Sequence, residues 1–278
     1  VWHPLNGYLR EVGLTAEQRA GWDRDGFFIL PGFAERPVLD AMVDRIVELA
    51  RLLEQPDRRP DLIATPEKVL DGQIDPERRL SKIFRLMRTE PVFRDFATDS
   101  RLLPILADLI GPDVACFLSQ FIFKNPGALG QPWHQDNYYF RMRPLPQVAL
   151  WLACSASTLD NGPLWVVPGS HNEAIHDAEP DTREDAGLFY VEITTADTRS
   201  EQVVLMDPGD LLVFHSHLRH RSTDNRSDDR RAAMVYHYAH PDSTGPFTFN
   251  QDWVDVLRDG VPVTASTDPV PVRASPPG

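Results

Sequence analysis

The sequence predicts a mainly β protein, a double-sheet jelly roll preceded by a helical segment. Three observations lead there. From about residue 112 short apolar runs alternate with turn signals, which favours antiparallel strands. The turns are explicit: Asp160-Asn161-Gly162-Pro163, Pro168-Gly169 and Asp207-Pro208-Gly209-Asp210. About eight candidate strands result, enough for two sheets with a small-molecule site between them.

The helical segment comes first. Thr15-Ala16-Glu17-Gln18 has the form of a capping box and predicts a short helix to about Asp23. Asp25-Gly26 turns the chain into Phe27-Phe28-Ile29-Leu30, a buried strand ended by Pro31-Gly32. Pro37 suits the first turn of a second helix, and Leu39, Met42, Val43, Ile46, Leu49 and Leu53 recur on one face of it. Residues 56–78, rich in Pro, Asp and Arg, read as a loop. Helical patterns resume over 80–97 and 101–110, with Gly111 as a stop.

The candidate strands are 114–124, 133–140, 147–155, 163–167, 187–194, 202–206, 210–216 and 231–239. The acidic, aperiodic stretch from His171 to Glu184 reads as a surface loop over the site mouth. The Pro-, Ser- and Thr-rich tail from Val261 is expected to be disordered. The expectation is one domain over residues 1–260, with helices over about 14–110, a jelly-roll core over about 112–240, and a tail over 261–278.

Composition narrows the function. The net charge of −13 argues against a nucleic-acid partner, and no dense Lys/Arg stripe offsets it. The partly basic run from Arg219 to Arg231 is interleaved by Asp224, Asp228 and Asp229 and reads as a solvated hairpin tip. The longest apolar stretch, Val148 to Cys154, is far too short to span a bilayer, and no signal peptide opens the chain. The expectation is a soluble cytoplasmic protein with no membrane partner. Cys116 and Cys154 sit in apolar runs and read as small buried hydrophobes. Of the basic residues only Lys68, Lys82 and Lys124 are lysines, an Arg bias that points to a GC-rich genome.

A split set of residues carries the chemistry. In an extended segment residues two apart share a face, so His134 and Asp136 of Trp133-His134-Gln135-Asp136 can reach one metal. His215, His217 and His220 compete for the third ligand. His215 and His217 lie on a predicted strand with Leu211 and Val213 and would serve if that face pointed inward. His220 is favoured by Ser222 two residues on and by Arg231, which a hairpin over the polar loop Thr223–Arg230 would return beside it. Two imidazoles and one carboxylate on one face leave half of an octahedral Fe(II) open, as iron(II) oxygenases require. Arg230 and Arg231 point to opposite strand faces, so one enters the site, suited to a carboxylate, and the other is solvated.

These residues resemble the phytanoyl-CoA dioxygenase family of Fe(II)/2-oxoglutarate oxygenases, over about residues 14–255. Asp25-Gly26-Phe27 through Pro31-Gly32-Phe33 resembles the family's N-terminal segment, and His134-Gln135-Asp136 its His-x-Asp element. Asn161-Gly162-Pro163-Leu164 with Val167-Pro168-Gly169-Ser170-His171 matches a family signature. Gly209-Asp210 through His220, then Asn225, Ser227 and Arg231, matches the end of its core.

The resemblance implies a double-stranded β-helix (jelly roll, cupin-like) with helices packed outside. It places His134, Asp136 and His220 as ligands of Fe(II), and Arg231 and Ser222 at the distal carboxylate of 2-oxoglutarate. Lys82 and Trp151 resemble residues that line the co-substrate pocket, with a solvated helix lysine and simple core packing as their plain readings. Lys124 and His171 read as structural. Gln120, Asn137 and Tyr139, near the His-x-Asp segment, are candidate substrate walls.

The implied reaction consumes 2-oxoglutarate and O2, releases succinate and CO2, and hydroxylates a positioned C–H bond. No catalytic group beyond the metal ligands is needed. Related halogenases have a small residue in place of the carboxylate ligand, so Asp136 argues against halogenation. Desaturation, epoxidation and ring formation use the same iron set. The competing readings are a keto-acid-independent metal enzyme of cupin type and a non-catalytic metal-binding jelly roll. The Arg-rich composition hints at a bacterial enzyme of secondary-metabolite tailoring.

Overall fold

In the computed structural model, which describes residues 13–195, 197–246 and 253–263, the chain enters through a capped helix. Helix α1 (Ala16–Asp25) starts at Thr15, whose Oγ1 accepts from the Gln18 N–H while its own N–H donates to Gln18 Oε1. That is the predicted capping box. The helix ends at Gly26, left-handed with φ 83°, and β1 (Phe27–Leu30) follows. Pro37 sits in the first turn of α2 (Arg36–Leu52), and Leu39, Met42, Ile46 and Leu49 form its buried face. Burying each such side chain contributes about 1.5–3 kcal/mol.

The next stretch departs from the sequence reading. Residues 56–78, expected as a loop, contain β2 (Ile63–Pro66), and residues 80–84, expected as helix, form β3 (Leu80–Phe84). β3 pairs with β2 on one side and with β4 (Val114–Lys124) on the other. The edge of the long β4 supplies hydrogen-bond partners, and burial follows a period of two, with Ile83 in the outer core and Lys82 and Phe84 on the opposite face. Within residues 80–110 helical structure is confined to α3 (Leu86–Thr89), α4 (Pro91–Ala97) and α5 (Leu103–Leu109).

After β4 come α6 (Asp136–Phe140), β5 (Val148–Ala153), β6 (Leu164–Val166), β7 (Glu179–Pro180) and β8 (Val191–Glu192). Then follow β9 (Gln202–Val204), β10 (Leu211–His215), β11 (His220–Ser222), β12 (Arg231–Ala239), β13 (Val254–Arg258) and β14 (Val261–Pro262). Two expected strands change: 133–140 becomes a bridge and a helix, and 187–194 shrinks to β8, paired only with β7. Val261 and Pro262 pair with β13, so the expected disordered tail does not begin there; residues 264–278 lie outside those described.

The protein is a double-stranded β-helix. Among the described residues one large antiparallel sheet runs β1-β10-β5-β12-β4-β13-β14, with β3 and β2 also attached to β4. A smaller sheet, β11-β6-β9, faces its inner side. The central strand β12 is buried on both faces. Met234, Tyr236 and Tyr238 point outward into the helical core, where the Tyr236 and Tyr238 hydroxyls donate to the carbonyls of Phe93 and Ala97 and pin α4 to the sheet. Arg231, Val235 and His237 point inward.

The segment Thr223–Arg230 is not a hairpin. β11 belongs to the small sheet and β12 to the large one, so this loop crosses between sheets, held by Asn225 donating to Lys124 O and Asp229 O. Arg230, expected to be solvated, is half-buried, donates to Asn125 Oδ1 at 2.7 Å and lies over the Phe123 ring. Cys116 and Cys154 are buried free thiols. No helix among the described residues is long and apolar enough to cross a membrane.

Candidate active site

His134 and His220 meet across a two-residue bridge: each backbone N–H donates to the other's carbonyl, at 2.9 and 3.0 Å. Their rings lie 4.1 Å apart. The His134 Nδ1–H donates to Pro132 O at 2.8 Å and the His220 Nδ1–H to Leu218 O at 3.0 Å. A carbonyl only accepts, so both protons are fixed on Nδ1 and both Nε2 lone pairs are free for a metal. Burial pushes the His220 imidazole down to about 4, which keeps it neutral at physiological pH.

Asp136 arrives differently from the sequence reading. It does not share a strand with His134; it is the first residue of α6. The aromatic run Tyr138-Tyr139-Phe140 suggested a strand, but Asn137 fastens a helical turn. Its Oδ1 accepts from Met142 N–H, and its Nδ2 donates to His217 Nε2. Asp136 Oδ1 then lies 3.6 Å from His134 Nε2 and 3.7 Å from His220 Nε2. Burial alone would raise this carboxyl, but His220, His134 and His237 outweigh it and hold it below the usual range. The three donor atoms fall within 4.8 Å of one another. Two imidazoles that each turn Nε2 to the site and one carboxylate, with no thiolate, suit Fe(II).

The rival histidines lie elsewhere. Leu211, Val213 and His215 share the outer face of β10, where His215 packs against Trp22 and His171. The His217 ring is held between Asn137 and the Glu173 carbonyl.

One cavity contains the triad and extends along the inner faces of β4 and β12. The register places Lys124 opposite Arg231, Gln120 opposite Val235 and Leu118 opposite His237. Arg231 is 1% exposed, its guanidinium lies 5.1 Å from the Trp151 ring, and burial pulls its pKa down to about 10. Among the described residues its Nε and Nη1 have no hydrogen-bond partner. Ser222 Oγ beside it accepts from Lys124 Nζ at 3.1 Å and from Gln131 N–H at 3.0 Å. Lys124 also donates to Leu129 O and Thr223 O, and burial pushes its pKa well down. Its bonds fit a structural amine, although it lines the cavity.

Lys82, read as a helix residue, stands on β3 with its amine over the Tyr190 ring. Gln120 and Tyr139 also line the cavity. Asn137 does not; its amide is consumed by the turn above. The sequence reading missed His237, although it shares strand parity with Arg231, and the mouth residues Gly187–Tyr190 just beyond the expected loop.

Comparison with known proteins fits this geometry. The family model for phytanoyl-CoA dioxygenase (PhyH) matches residues 22–233. The chain belongs to the phytanoyl-CoA dioxygenase family. As a member, it is a non-haem iron(II), 2-oxoglutarate-dependent dioxygenase acting on a small molecule, which sets aside the keto-acid-independent and non-catalytic readings. Phytanoyl-CoA dioxygenase 1 of Oryza sativa subsp. japonica is 29% identical over 269 residues, spanning 87% of this chain and 94% of that one. Dioxygenase lolE1 of Epichloe uncinata is 31% identical over 156 residues, 55% of this chain and 58% of that one. Among solved structures, the epimerase SnoN with Fe3+, alpha-ketoglutarate and nogalamycin RO superposes with TM-score 0.63 at 20% identity, covering 90% of this chain and 96% of that one. EctD from S. alaskensis in its apo form gives 0.64, also at 20% identity, with 90% and 84% covered. At that identity the likeness establishes the jelly-roll fold.

Proposed function

We propose that this family member hydroxylates an uncharged small molecule in the tailoring of a secondary metabolite, converting 2-oxoglutarate to succinate and CO2. One observation carries the co-substrate assignment: a fully buried guanidinium with two unpartnered nitrogens, in the same cavity as a His-Asp-His set. An uncompensated buried cation is costly, and a carboxylate guest removes that cost. The family lends the tailoring reading some support, since one structural relative is an epimerase from nogalamycin biosynthesis.

In this reading His134, Asp136 and His220 would hold Fe(II). Bound iron, with 2-oxoglutarate and O2, supplies an oxidant able to break a C–H bond. Arg231 takes the distal carboxylate of 2-oxoglutarate with help from Ser222, and the flat face of Trp151 fixes the plane of the guanidinium. Lys82 adds positive charge at the same end. Gln120 and Tyr139 face the substrate, and Leu188, Phe189 and Tyr190 exclude water from the mouth. Asp136 would supply the carboxylate ligand that related halogenases lack, which favours oxygen insertion.

The test is anaerobic. Addition of Fe(II) and 2-oxoglutarate should give the weak visible charge-transfer band of an iron–keto-acid complex, and Asp136→Ala or His134→Ala should remove it. Arg231→Ala should weaken 2-oxoglutarate binding about 10- to 100-fold, the loss of charge-assisted hydrogen bonds, and leave iron binding within about twofold. Equal losses for both ligands would overturn the role given to Arg231. A metabolite screen scored by succinate formation then identifies the substrate.

A further inference from the structure

Asp136 presents its two carboxylate oxygens to different neighbours. Oδ1 faces the Nε2 atoms of His134 and His220. Oδ2 is buried, has no hydrogen-bond partner, and faces His237 Nδ1 at 3.8 Å. His237 Nδ1 is itself buried and unpartnered. The two ligand histidines each spend Nδ1 on a backbone carbonyl; among the described residues His237 Nδ1 has no such partner and faces the carboxylate. Its ring is 3% exposed on the inner face of β12 and lies against Phe117 at 5.9 Å and Phe140 at 5.3 Å.

We propose that His237 is a positioning residue for Asp136, its Nδ1–H holding Oδ2 so that Oδ1 alone serves the metal. The inference rests on the iron reading of the triad. A carboxylate offers only acceptors, so the contact requires the proton on His237 Nδ1. The gap exceeds hydrogen-bond length by about 0.7 Å, so the proposed bond requires a small turn of one side chain towards the other. Groups that orient a metal ligand in this way are worth about 10- to 100-fold in metal affinity. Holding Oδ2 aside would leave one oxygen to the metal and keep the other out of the space that the co-substrate would need.

The test uses Mn(II) as probe, with free metal read by electron paramagnetic resonance. His237→Phe keeps the ring packing and deletes the donor; His237→Asn restores a donor near the Nδ1 position. His237→Phe should raise the Mn(II) Kd by about 10- to 100-fold, and His237→Asn should stay within about threefold of wild type. A phenylalanine variant that binds like wild type, or an asparagine variant that falls as far as it, overturns the proposal. Nitrogen NMR of 15N-histidine-labelled, Zn(II)-loaded wild type gives a second reading that needs no variant. The Nδ1–H tautomer is expected at His237, and an Nε2–H tautomer overturns the assignment. A wild type that binds no metal removes the triad reading as well, whereas normal wild-type binding with an unaffected phenylalanine variant removes only the role of His237.

Discussion

At the scale of single residues, what a buried polar side chain faces decides its part. Arg231, His237 and Asp136 have buried atoms without partners in the cavity. His215 is buried among Trp22, His171 and His217, with its Nδ1 accepting from His217 N–H. Burial, and then the neighbouring His217 and His171, push its pKa from 6.5 to about 3. The unfolded chain therefore binds more protons than the folded one between those values. Stability from keeping His215 neutral is complete above pH 6.5 and is lost as pH falls towards 3. Replacement by an untitratable residue, His215→Asn, should flatten the acid limb of stability measured by urea unfolding, by on the order of 5 kcal/mol between its ends. Parallel limbs for variant and wild type would show that other groups govern acid unfolding.

At the scale of elements, the loops that close the site are held by close approach. Gly162 sits at φ 83°, and a Cβ there would stand 2.5 Å from the Thr223 carbonyl oxygen and from Lys124 Cδ. Gly162→Ala combines backbone strain with a clash against main chain that also fixes Ser222. It should cost about 1–3 kcal/mol in unfolding free energy and weaken 2-oxoglutarate binding alongside. An alanine variant with wild-type stability would mean that the loop shifts freely. Much of this architecture was legible beforehand. β4 and β12 match their expected strands residue for residue, because long β-branched and aromatic runs bounded by turns leave little choice. β3 was not legible, since Leu80–Phe84 becomes a strand only through the edge of β4. Nor was α6, where Asn137 side-chain bonds override the strand preference of Tyr138-Tyr139-Phe140. The site residues were named by motif while their geometry was not, because a ligand spacing of two fits a strand and a bridge-to-helix turn equally well. His237 and Tyr190 had no motif to mark them; for His237 the parity it shares with Arg231 was the available signal.

At the scale of the whole molecule, charge bears on the substrate. The chain carries −13 overall, and the segment that borders the cavity mouth concentrates acid. Asp177, Glu179, Glu184, Asp185 and Glu192 flank the mouth residues Gly187–Tyr190 in sequence, and the segment's one arginine, Arg183, is engaged by Asp181. Inside, the walls near Leu118 are Phe84 and Phe140, with Leu188 and Phe189 partly exposed at the rim. Beyond the end where Arg231 and Lys82 would hold 2-oxoglutarate, apolar walls favour an uncharged guest, and an acidic segment near the mouth opposes most the several phosphates of a coenzyme A thioester, because like charge at the entrance lowers the local concentration of a polyanion. Succinate formation with palmitoyl-CoA should therefore stay at the substrate-free background at low salt. The uncharged N-acetylcysteamine thioester of the same acid should suffer no such exclusion. Raising salt to about 0.15 M shortens the reach of the rim charges to about 8 Å, so any discrimination between the two thioesters should narrow. Reversal of the rim by Glu179→Lys, Glu184→Lys and Asp185→Lys should narrow it further. Robust turnover of palmitoyl-CoA by wild type at low salt would show that the nucleotide end is recognised elsewhere on the surface and that the acidic rim does not select the substrate.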